Sequence, residues 1–201
     1  NTTMSGSHTY IVEGEEAAVV RSIKLTATHS LGCSAEKTEE FEVFPEAVAA
    51  AIGTLEGCTP FDANIAYEGA PLNQITWSLN GSPAGEGEAF ATTLVDAGVS
   101  ALAMVVATSH GCQDSLLLPL TAWATPQVEL SVDEASACAG SPVELTHVVN
   151  GADNVTYAFS NGGSLAQPDA ESETVYFENP YANPATVVIT QTATTLEGCV
   201  A

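Results

Sequence analysis

Basic side chains are almost absent from this 201-residue chain, which carries 25 Asp and Glu against 3 Lys and Arg, a formal net charge of −22. The three cations are Arg21, Lys24 and Lys37, and none follows Thr38. A nucleic acid or an anionic lipid surface binds proteins largely through cationic groups that replace counterions. The composition therefore excludes both as partners held by charge.

Long apolar runs are also missing. The longest, Ala47–Ile52 and Ala101–Ala107, fall far short of the ~18 residues that a membrane-spanning helix needs, so we expect no membrane insertion. The first residues, Asn1–Met4, lack the basic and apolar regions of a signal peptide. A hydrophobic fraction of 45% nevertheless predicts a folded chain.

An internal repeat organises the sequence. In three segments an Ala-Thr pair is followed after two or three residues by Gly-Cys: Ala27–Cys33, Ala107–Cys112 and Ala193–Cys199. The spacing between their cysteines is the size of a small β-domain. Pro45 and Pro126 follow the first two segments, and each is followed by a further cysteine, Cys58 or Cys138. The repeat predicts the C-terminal half of one domain over residues 1–45, a complete domain over 46–126, and a domain lacking its last strand over 127–201.

One pentapeptide disagrees with this register. Thr54–Cys58 and Thr195–Cys199 both read Thr-Leu-Glu-Gly-Cys, yet the repeat places them at opposite ends of a domain. Pro60 and Phe61 follow the first copy, whereas an Ala-Thr pair precedes the second. We interpret the identity as a coincidence in a compositionally biased chain.

The local patterns are those of β-strands. Apolar and polar residues alternate over Phe61–Ile65 and Val143–Thr146, and short apolar runs occupy Leu102–Val106 and Val187–Thr190. Asn-Gly and Asn-Pro turn signals separate these segments. The Ala-rich stretch Glu46–Ile52 is also expected to be a strand because it occupies the position of Val128–Val132 in the next repeat. The fold class predicted is all-β, with tandem β-sandwich domains.

Five cysteines without Cys-x-x-Cys spacing or clustered His favour disulfides over a zinc site. Within one period the pairs would be Cys58 with Cys112 and Cys138 with Cys199, which would close loops of similar length. Such bonds indicate an oxidising, extracellular location. Cys33 would then be unpaired in this sequence, its partner lying before residue 1; a free thiol is the alternative.

One aromatic residue lies between the cysteines of each expected pair. Trp77 follows Cys58, and Phe159 follows Cys138 at a similar spacing. Immunoglobulin-like sandwiches fill their cores with a ring packed against an inter-sheet disulfide. We therefore predict Trp77 and Phe159 as core residues rather than ligand-stacking ones.

Several runs of residues resemble PKD-type modules and the related immunoglobulin-like modules of large surface adhesins. The PKD-like runs are Gly57–Ile65, Thr76–Gly81, Gly98–Val106 and Ala107–Cys112; the immunoglobulin-like ones are Ala137–Thr146 and Tyr157–Gly163. The resemblance covers nearly all of residues 46–201 and, more weakly, 1–45. It implies tandem immunoglobulin-like (PKD-like) β-sandwiches in a secreted spacer or adhesive protein of Bacteroidota-like bacteria, often exported by the type IX system, and it does not imply catalysis.

No catalytic constellation is visible. The four histidines, His8, His29, His110 and His147, have no nucleophile elbow near them in the sequence, and they are expected at the surface or at strand ends. A chain with 25 carboxylates does not single out a pair for acid–base chemistry. We assign no catalytic residue and do not expect an enzyme.

No cofactor is predicted, with calcium as the one alternative. Its candidate ligands near the first linker are Glu39, Glu40, Glu42 and Glu46, because hard cations prefer oxygen ligands. No Asp-x-Asp-x-Asp-Gly loop is present. An acidic strand face exposed to water is the competing interpretation.

Three residues are candidates for glycosylation. Asn80 and Asn154 begin Asn-x-Ser/Thr sequons, and Ser115 lies in Asp114-Ser115-Leu116, which resembles an O-glycosylation signal of Bacteroidota-like proteins. A chance match explains the three-residue motif equally well.

The function expected from these observations is that of an extracellular structural or adhesive repeat region, a stalk or fibre body of a large surface protein. Its partners would be neighbouring repeats and, by strand docking, other copies in a filament. The alternative is a carbohydrate-binding accessory module of a secreted glycanase, for which surface glycans would be the partners. Trp123 and the Tyr176–Tyr181 stretch are its open aromatic candidates.

Overall fold

The structure is a computed structural model that describes residues 5–10, 18–70, 74–161, 165 and 172–201. These residues contain β-strands and no helix. The strands are β1 Val19–Thr28, β2 Ser34–Val43, β3 Ala51–Gly53, β4 Glu56–Cys58, β5 Phe61–Tyr67, β6 Gln74–Leu79, β7 Ser82–Glu86, β8 Ala89–Leu94, β9 Gly98–Ala107, β10 Gln113–Trp123, β11 Gln127–Val132, β12 Pro142–Asn150, β13 Asn154–Phe159, β14 Ser172–Tyr176 and β15 Ile189–Thr194.

The order of the strands in their sheets is immunoglobulin-like. Strands β3 to β10 form a three-stranded sheet, β3-β5-β8, and a five-stranded sheet, β4-β10-β9-β6-β7. In chain order this corresponds to A, B and E in one sheet and A′, G, F, C and C′ in the other, with A′ parallel to G. Strands β11 to β15 repeat the scheme with sheets β11-β12-β14 and β13-β15. The predicted all-β, immunoglobulin-like fold class is confirmed.

The chain groups into two compact units, each discontinuous in sequence. The first contains Asn1–Gly53, Asn64–Phe90 and Ser100–Pro119, and the second contains Thr54–Ala63, Ala91–Val99 and Leu120–Ala201. The domain boundaries expected at residues 45 and 126 stay predictions.

Trp77 lies at the centre of the first unit's core. Its ring is 2% exposed and stacks on Phe90 with a centroid distance of 5.7 Å, and its Nε1–H donates to the Gly87 carbonyl at 2.8 Å. In the C-terminal half of β9, every second residue is fully buried in the same unit, namely Leu102, Met104 and Val106. The period-two pattern of the sequence thus forms one buried face.

The second unit has a core between two sheets. Val143, Leu145 and Val175 extend from β12 and β14 into one cluster with Phe159 from β13. Partly buried Leu130, Tyr157 and Phe177 pack against this cluster. The sheets β11-β12-β14 and β13-β15 therefore bury their apolar faces against each other, as the alternation in β12 predicts.

The Glu46–Ile52 segment differs from its prediction as a strand. Only Ala51–Gly53 forms β3, and residues 44–50 have no regular structure. Hydrogen bonds to side chains outside the segment fix residues 44–50 instead. The Ala49 N–H donates to Asp114 Oδ2 at 2.8 Å, and the Tyr67 hydroxyl donates to the Val48 carbonyl at 3.2 Å. Alanine has little β-propensity, so external hydrogen bonds decide the conformation here.

Ion pairs contribute little to this fold. In the described residues, Lys24 pairs with Glu36 and Lys37 with Glu39, both at 2.7 Å and both well exposed. Exposed pairs of this kind are worth about 0–1 kcal/mol. Beyond Thr38 the chain has no Lys or Arg, so apolar packing, hydrogen bonds and the disulfide must stabilise that part.

Truncation of the central ring tests this account. We expect Trp77→Ala to lower the free energy of unfolding by about 3–5 kcal/mol, because it leaves a large cavity. Val95→Ala, at an exposed position outside the strands, is the matched control and should change it by less than about 0.5 kcal/mol. Urea denaturation followed by far-UV circular dichroism measures both. Equal effects in the two variants would contradict the central role of Trp77.

Candidate functional site: the Gly-Cys turns

The three Gly-Cys segments form the same turn, named here the Gly-Cys turn: His29–Cys33, Thr108–Cys112 and Thr195–Cys199. In each, the N–H of the first residue donates to the cysteine carbonyl at 2.8–2.9 Å, and the glycine N–H donates back to the carbonyl of the first residue at 2.8–3.1 Å. The glycines, Gly32, Gly111 and Gly198, have φ of 89°, 85° and 87°. A side chain is strained in this left-handed region, so the turn requires glycine.

The first residue of the turn also uses its side chain. Thr108 and Thr195 accept the N–H of their own turn's cysteine on Oγ1, at 3.2 and 3.1 Å. His29 fills this position in the first copy, where its Nδ1 accepts the Leu31 N–H at 3.2 Å. The cysteines therefore align the three copies better than the Ala-Thr pairs do.

Each Gly-Cys turn connects two antiparallel segments, and we call the whole unit a Gly-Cys hairpin. Thr28 lies opposite Ser34 in the first hairpin, and Thr194 forms a bridge opposite Val200 in the third. Both pairs join the residue five before the turn cysteine to the residue one after it. The repeat is therefore one of conformation and register as well as of sequence.

A further strand pairs with the second and third hairpins in one register. In β6–β9, Ile75, Trp77 and Leu79 lie opposite the residues six, eight and ten before Cys112. In β13–β15, Val155, Tyr157 and Phe159 lie opposite the residues six, eight and ten before Cys199. The two strand pairs are thus equivalent residue by residue.

Trp77 and Phe159 are both buried in the core, as predicted, but the register shows that they are not equivalent to each other. Tyr157, rather than Phe159, is equivalent to Trp77, and it follows Cys138 at the same spacing at which Trp77 follows Cys58. Phe159 is equivalent to Leu79 and is buried at 9% exposure. This equal spacing from the preceding cysteine could have identified Tyr157 in the sequence.

The tyrosine at this position produces a buried polar cluster. The Tyr157 hydroxyl lies 2.8 Å from His147 Nδ1 and accepts from Gln191 Nε2 at 3.1 Å. His147, expected at the surface or a strand end, is in fact buried at 5% exposure, because it continues the inward face of Val143 and Leu145 on β12. The expectation is corrected: the period-two pattern places this histidine inside.

The disulfide differs from the predicted pairs. Cys58 is bonded to Cys199, with a Cα–Cα distance of 5.5 Å, and Cys33, Cys112 and Cys138 carry free thiols. The predicted pairs Cys58–Cys112 and Cys138–Cys199 are therefore corrected. Cys58 lies beside Trp123 at one end of β10, whereas Cys112 precedes the other end. A strand of 11 residues spans about 36 Å, far more than the ~7 Å limit for a disulfide.

The bonded cysteines end the two identical pentapeptides. Thr54–Cys58 contributes the strand β4, which runs parallel to β10, and Thr195–Cys199 is a Gly-Cys turn. Gly57 has no positive φ, but it lies against the Phe61 ring, with which an added Cβ would collide. The same five residues therefore have two structures, as the repeat register implied.

The remaining sequence candidates are separate from one another. The described residues contain no group of three or more His, Cys, Asp or Glu side chains arranged to hold a metal, so Glu39, Glu40, Glu42 and Glu46 are not brought together as a ligand set. Nor do they contain a helix long and apolar enough to cross a membrane.

The glycosylation candidates are exposed. Ser115 and Asn154 are open to solvent, and so is Asn80. However, the Asn80 side chain already donates from Nδ2 to Ser100 Oγ at 3.3 Å and accepts the Ala101 N–H at 2.9 Å. A glycan would replace one of the two Nδ2 hydrogens, so the other would have to make the Ser100 contact.

Asp114 anchors the irregular segment before β3. Its two carboxylate oxygens accept the Ala49 and Ser115 N–H groups, both at 2.8 Å. These backbone hydrogen bonds favour the charged form and hold the pKa of Asp114 below its usual value of 3.8. The neighbouring Ser115 hydroxyl is therefore presented next to a constrained carboxylate.

The aromatic candidates differ in exposure. Tyr176 and Tyr181 are 65% and 77% exposed, whereas Trp123 is only partly exposed. Tyr176 lies on β14, on the side opposite to the buried Val175. These are isolated rings rather than a demonstrated row.

By comparison with known proteins, this chain is similar to solved structures but matches no sequence family. No protein-family model and no curated protein matches the chain. Among solved structures, the chain is similar to the fibronectin(III)-like modules of Clostridium thermocellum CbhA, with a TM-score of 0.37 and 13% identity, over 75% of this chain and 88% of that one. At this TM-score the similarity supports no functional statement.

Peptide mapping tests the disulfide. Under non-reducing conditions we expect one linked peptide pair containing Cys58 and Cys199, together with three alkylatable thiols. The double substitution Cys58→Ser and Cys199→Ser should lower the free energy of unfolding by about 2–5 kcal/mol, because the bond closes a long loop. Cys33→Ser, at an exposed free thiol, is the control and should be nearly neutral. A linked pair containing Cys112 would contradict this structure.

The Asp114 contact gives a pH-dependent signal. A folded-state pKa below the unfolded value means that the contact stabilises the fold above that unfolded value and is lost as the pH falls through the folded one. We expect the Ala49 amide resonance to shift with a midpoint below pH 3.8, followed by NMR titration. In Asp114→Asn this titration should vanish. A midpoint at or above 3.8 would contradict the hydrogen-bonded carboxylate.

Proposed function

We propose that this chain is part of an extracellular structural and adhesive repeat protein, of the PKD-like and immunoglobulin-like type that the sequence resembles, and that it forms the stalk or fibre body of a larger surface protein in a Bacteroidota-like bacterium. It acts by mechanical connection rather than by catalysis. Its partners are neighbouring repeats and other copies of the protein, and it needs no cofactor.

The observation that carries the proposal is the threefold Gly-Cys hairpin. The same turn with the same hydrogen bonds occurs three times, and the strand pairing beside it occurs twice in one register. Repeat proteins are stabilised by each unit and its neighbours, and they serve as extended scaffolds.

The disulfide supports an extracellular, load-bearing role. Disulfides persist in oxidising compartments outside the cytosol. The Cys58–Cys199 bond joins residues 141 positions apart. Because force applied to the two ends of the chain passes through this covalent link, the intervening residues are protected from extension.

The acid excess also suits an array of modules. Surfaces that carry only negative charge repel one another at low ionic strength and oppose lateral association. Salt reduces this repulsion, because the Debye length falls to about 3 Å at 1 M ionic strength. Free energies of unfolding that rise with added salt would agree with this view.

Exposed tyrosines favour one alternative, a carbohydrate-binding accessory module. Tyr176 and Tyr181 are well exposed, and aromatic rings with one apolar face and a polar edge suit partly wet binding surfaces. This function would appear as binding on a glycan array that is lost in Trp123→Ala or Tyr176→Ala. No such binding is expected from a stalk.

Cell-surface labelling tests the proposed function directly. Antibodies against this chain should label intact cells of the source, and deletion of its gene should reduce cell attachment to surfaces. Labelling only after permeabilisation, or turnover of a substrate by the purified protein, would overturn the proposal.

Single-molecule force spectroscopy tests the load path. Pulled by its ends in oxidising buffer, the chain should extend only outside the disulfide loop. Reduction of the disulfide should increase the extended length of the chain by about 500 Å, since the 141 residues between the cysteines each extend by ~3.6 Å. The Cys58→Ser and Cys199→Ser variant should show the full length without reductant. An increase in extended length of about 400 Å would instead indicate the two shorter loops closed by Cys58–Cys112 and Cys138–Cys199.

A further inference from the structure

Strand β1 has an apolar face that is covered in the other Gly-Cys hairpins. Ile23, Leu25 and Ala27 lie ten, eight and six residues before Cys33, and Ile23 and Leu25 are 51% and 67% exposed. Their equivalents in β9 are buried completely, at 0% exposure: Leu102, Met104 and Val106. The same positions are thus core in one copy and surface in another.

One difference lies in the strands that pair with each edge; the module that contains β9 also has a facing sheet, β3-β5-β8, against which an apolar face can pack. Strand β6 pairs with the edge of β9 that lies away from β10. Strand β13 pairs with β15 in the same register. Within the described part of the chain, β1 pairs only with β2. An isolated two-stranded hairpin is marginally stable in water, and an open edge presents unpaired N–H and C=O groups.

Strand β2 contributes to the same face, where Lys37 and Glu39 lie opposite Leu25 and Ile23 and form an ion pair with each other, and apolar residues follow them. Phe41 and Val43 lie eight and ten residues after Cys33, equivalent to the buried Leu120 and Ala122. The Tyr10 ring meets Phe41 edge-on at 4.9 Å, so this end is partly covered, whereas the Ile23 and Leu25 side chains remain exposed. The surface therefore has room for apolar side chains beside β1.

We propose that the open edge of β1 accepts an antiparallel strand from another module of this repeat type. The docked strand has the pattern apolar-x-aromatic-x-apolar, as in Ile75-Thr76-Trp77-Ser78-Leu79. Its aromatic residue lies opposite Leu25, and the two apolar residues lie opposite Ala27 and Ile23. This register copies the two occupied hairpins.

The charge distribution favours such a module as the occupant. All three cations of the chain lie in the β1–β2 hairpin, which also contains four glutamates, all of them on β2. The rest of the chain carries only acidic formal charges. An acidic module therefore meets less repulsion at this hairpin than at any other part of the chain, and Arg21 on β1 attracts it.

This inference deepens the partner named in the proposed function, a neighbouring module, and gives its binding site and register. The proposed function and the strand-binding inference can be disproved independently of each other. A chain on the cell surface that binds no strand at β1 would still be a stalk, whereas a strand-binding chain without surface location would retain the acceptor edge.

The experiment uses the full 201-residue chain and a fluorescent peptide with the sequence of Gln74–Gly81. Anisotropy titration should show saturable binding, and hydrogen exchange should slow in Val19–Thr28. Leu25→Glu should weaken binding by at least about tenfold, because it places a charge where an apolar side chain is buried. Val20→Glu is the matched control: it lies on the opposite face of β1 and should leave affinity unchanged within about twofold.

A change in the peptide keeps the test valid if Leu25→Glu loosens the hairpin. Replacing the peptide's tryptophan by serine should also weaken binding at least about tenfold, with the protein unaltered. Absence of binding, equal binding by Leu25→Glu, or equal binding by the serine peptide would overturn the inference. So would self-association of the chain through β1 that the peptide does not displace, since the occupant would then be a second β1 edge.

Discussion

The apolar face of the Gly-Cys hairpin must be covered, and much of the structure follows from this requirement. The residues six, eight and ten before the turn cysteine lie on one side of the hairpin, and in the second and third hairpins a neighbouring strand pairs beside them in a fixed register. In β9 and β15 that strand is β6 or β13, whose Trp77 and Tyr157 lie opposite the same position. The turn sets the register because its glycine and its cross-turn hydrogen bonds allow one arrangement of the two strands.

The scarcity of cations determines what else stabilises the chain. Beyond Thr38 no Lys or Arg is present to neutralise carboxylates, and the two ion pairs of the described residues lie in the β1–β2 hairpin. Carboxylates are instead used as hydrogen-bond acceptors for the backbone, as at Asp114, Asp133 and Asp153. Apolar packing and one long-range disulfide, Cys58–Cys199, supply the rest.

Much of the architecture was predictable because it is local. The alternation in β5, β9 and β12 predicts buried faces, and the Gly-Cys spacing predicts the repeated turn. The exact partner of each residue was not predictable in the same way: Phe159 was expected in the position that Tyr157 occupies, although Tyr157 and Trp77 are equally spaced from their preceding cysteines. His147 was misplaced because its polarity was weighed above its position on the inward face of β12.

The pentapeptide Thr-Leu-Glu-Gly-Cys shows which structural properties the sequence by itself does not determine. The sequence determined that the chain is all-β and that it repeats, because composition and periodicity act on each segment separately. Only the tertiary structure decided that residues 54–58 pair in parallel with β10 while residues 195–199 form a turn, and that their cysteines join. A disulfide requires two distant residues to lie within a few ångströms, and that proximity is a property of the folded chain rather than of spacing.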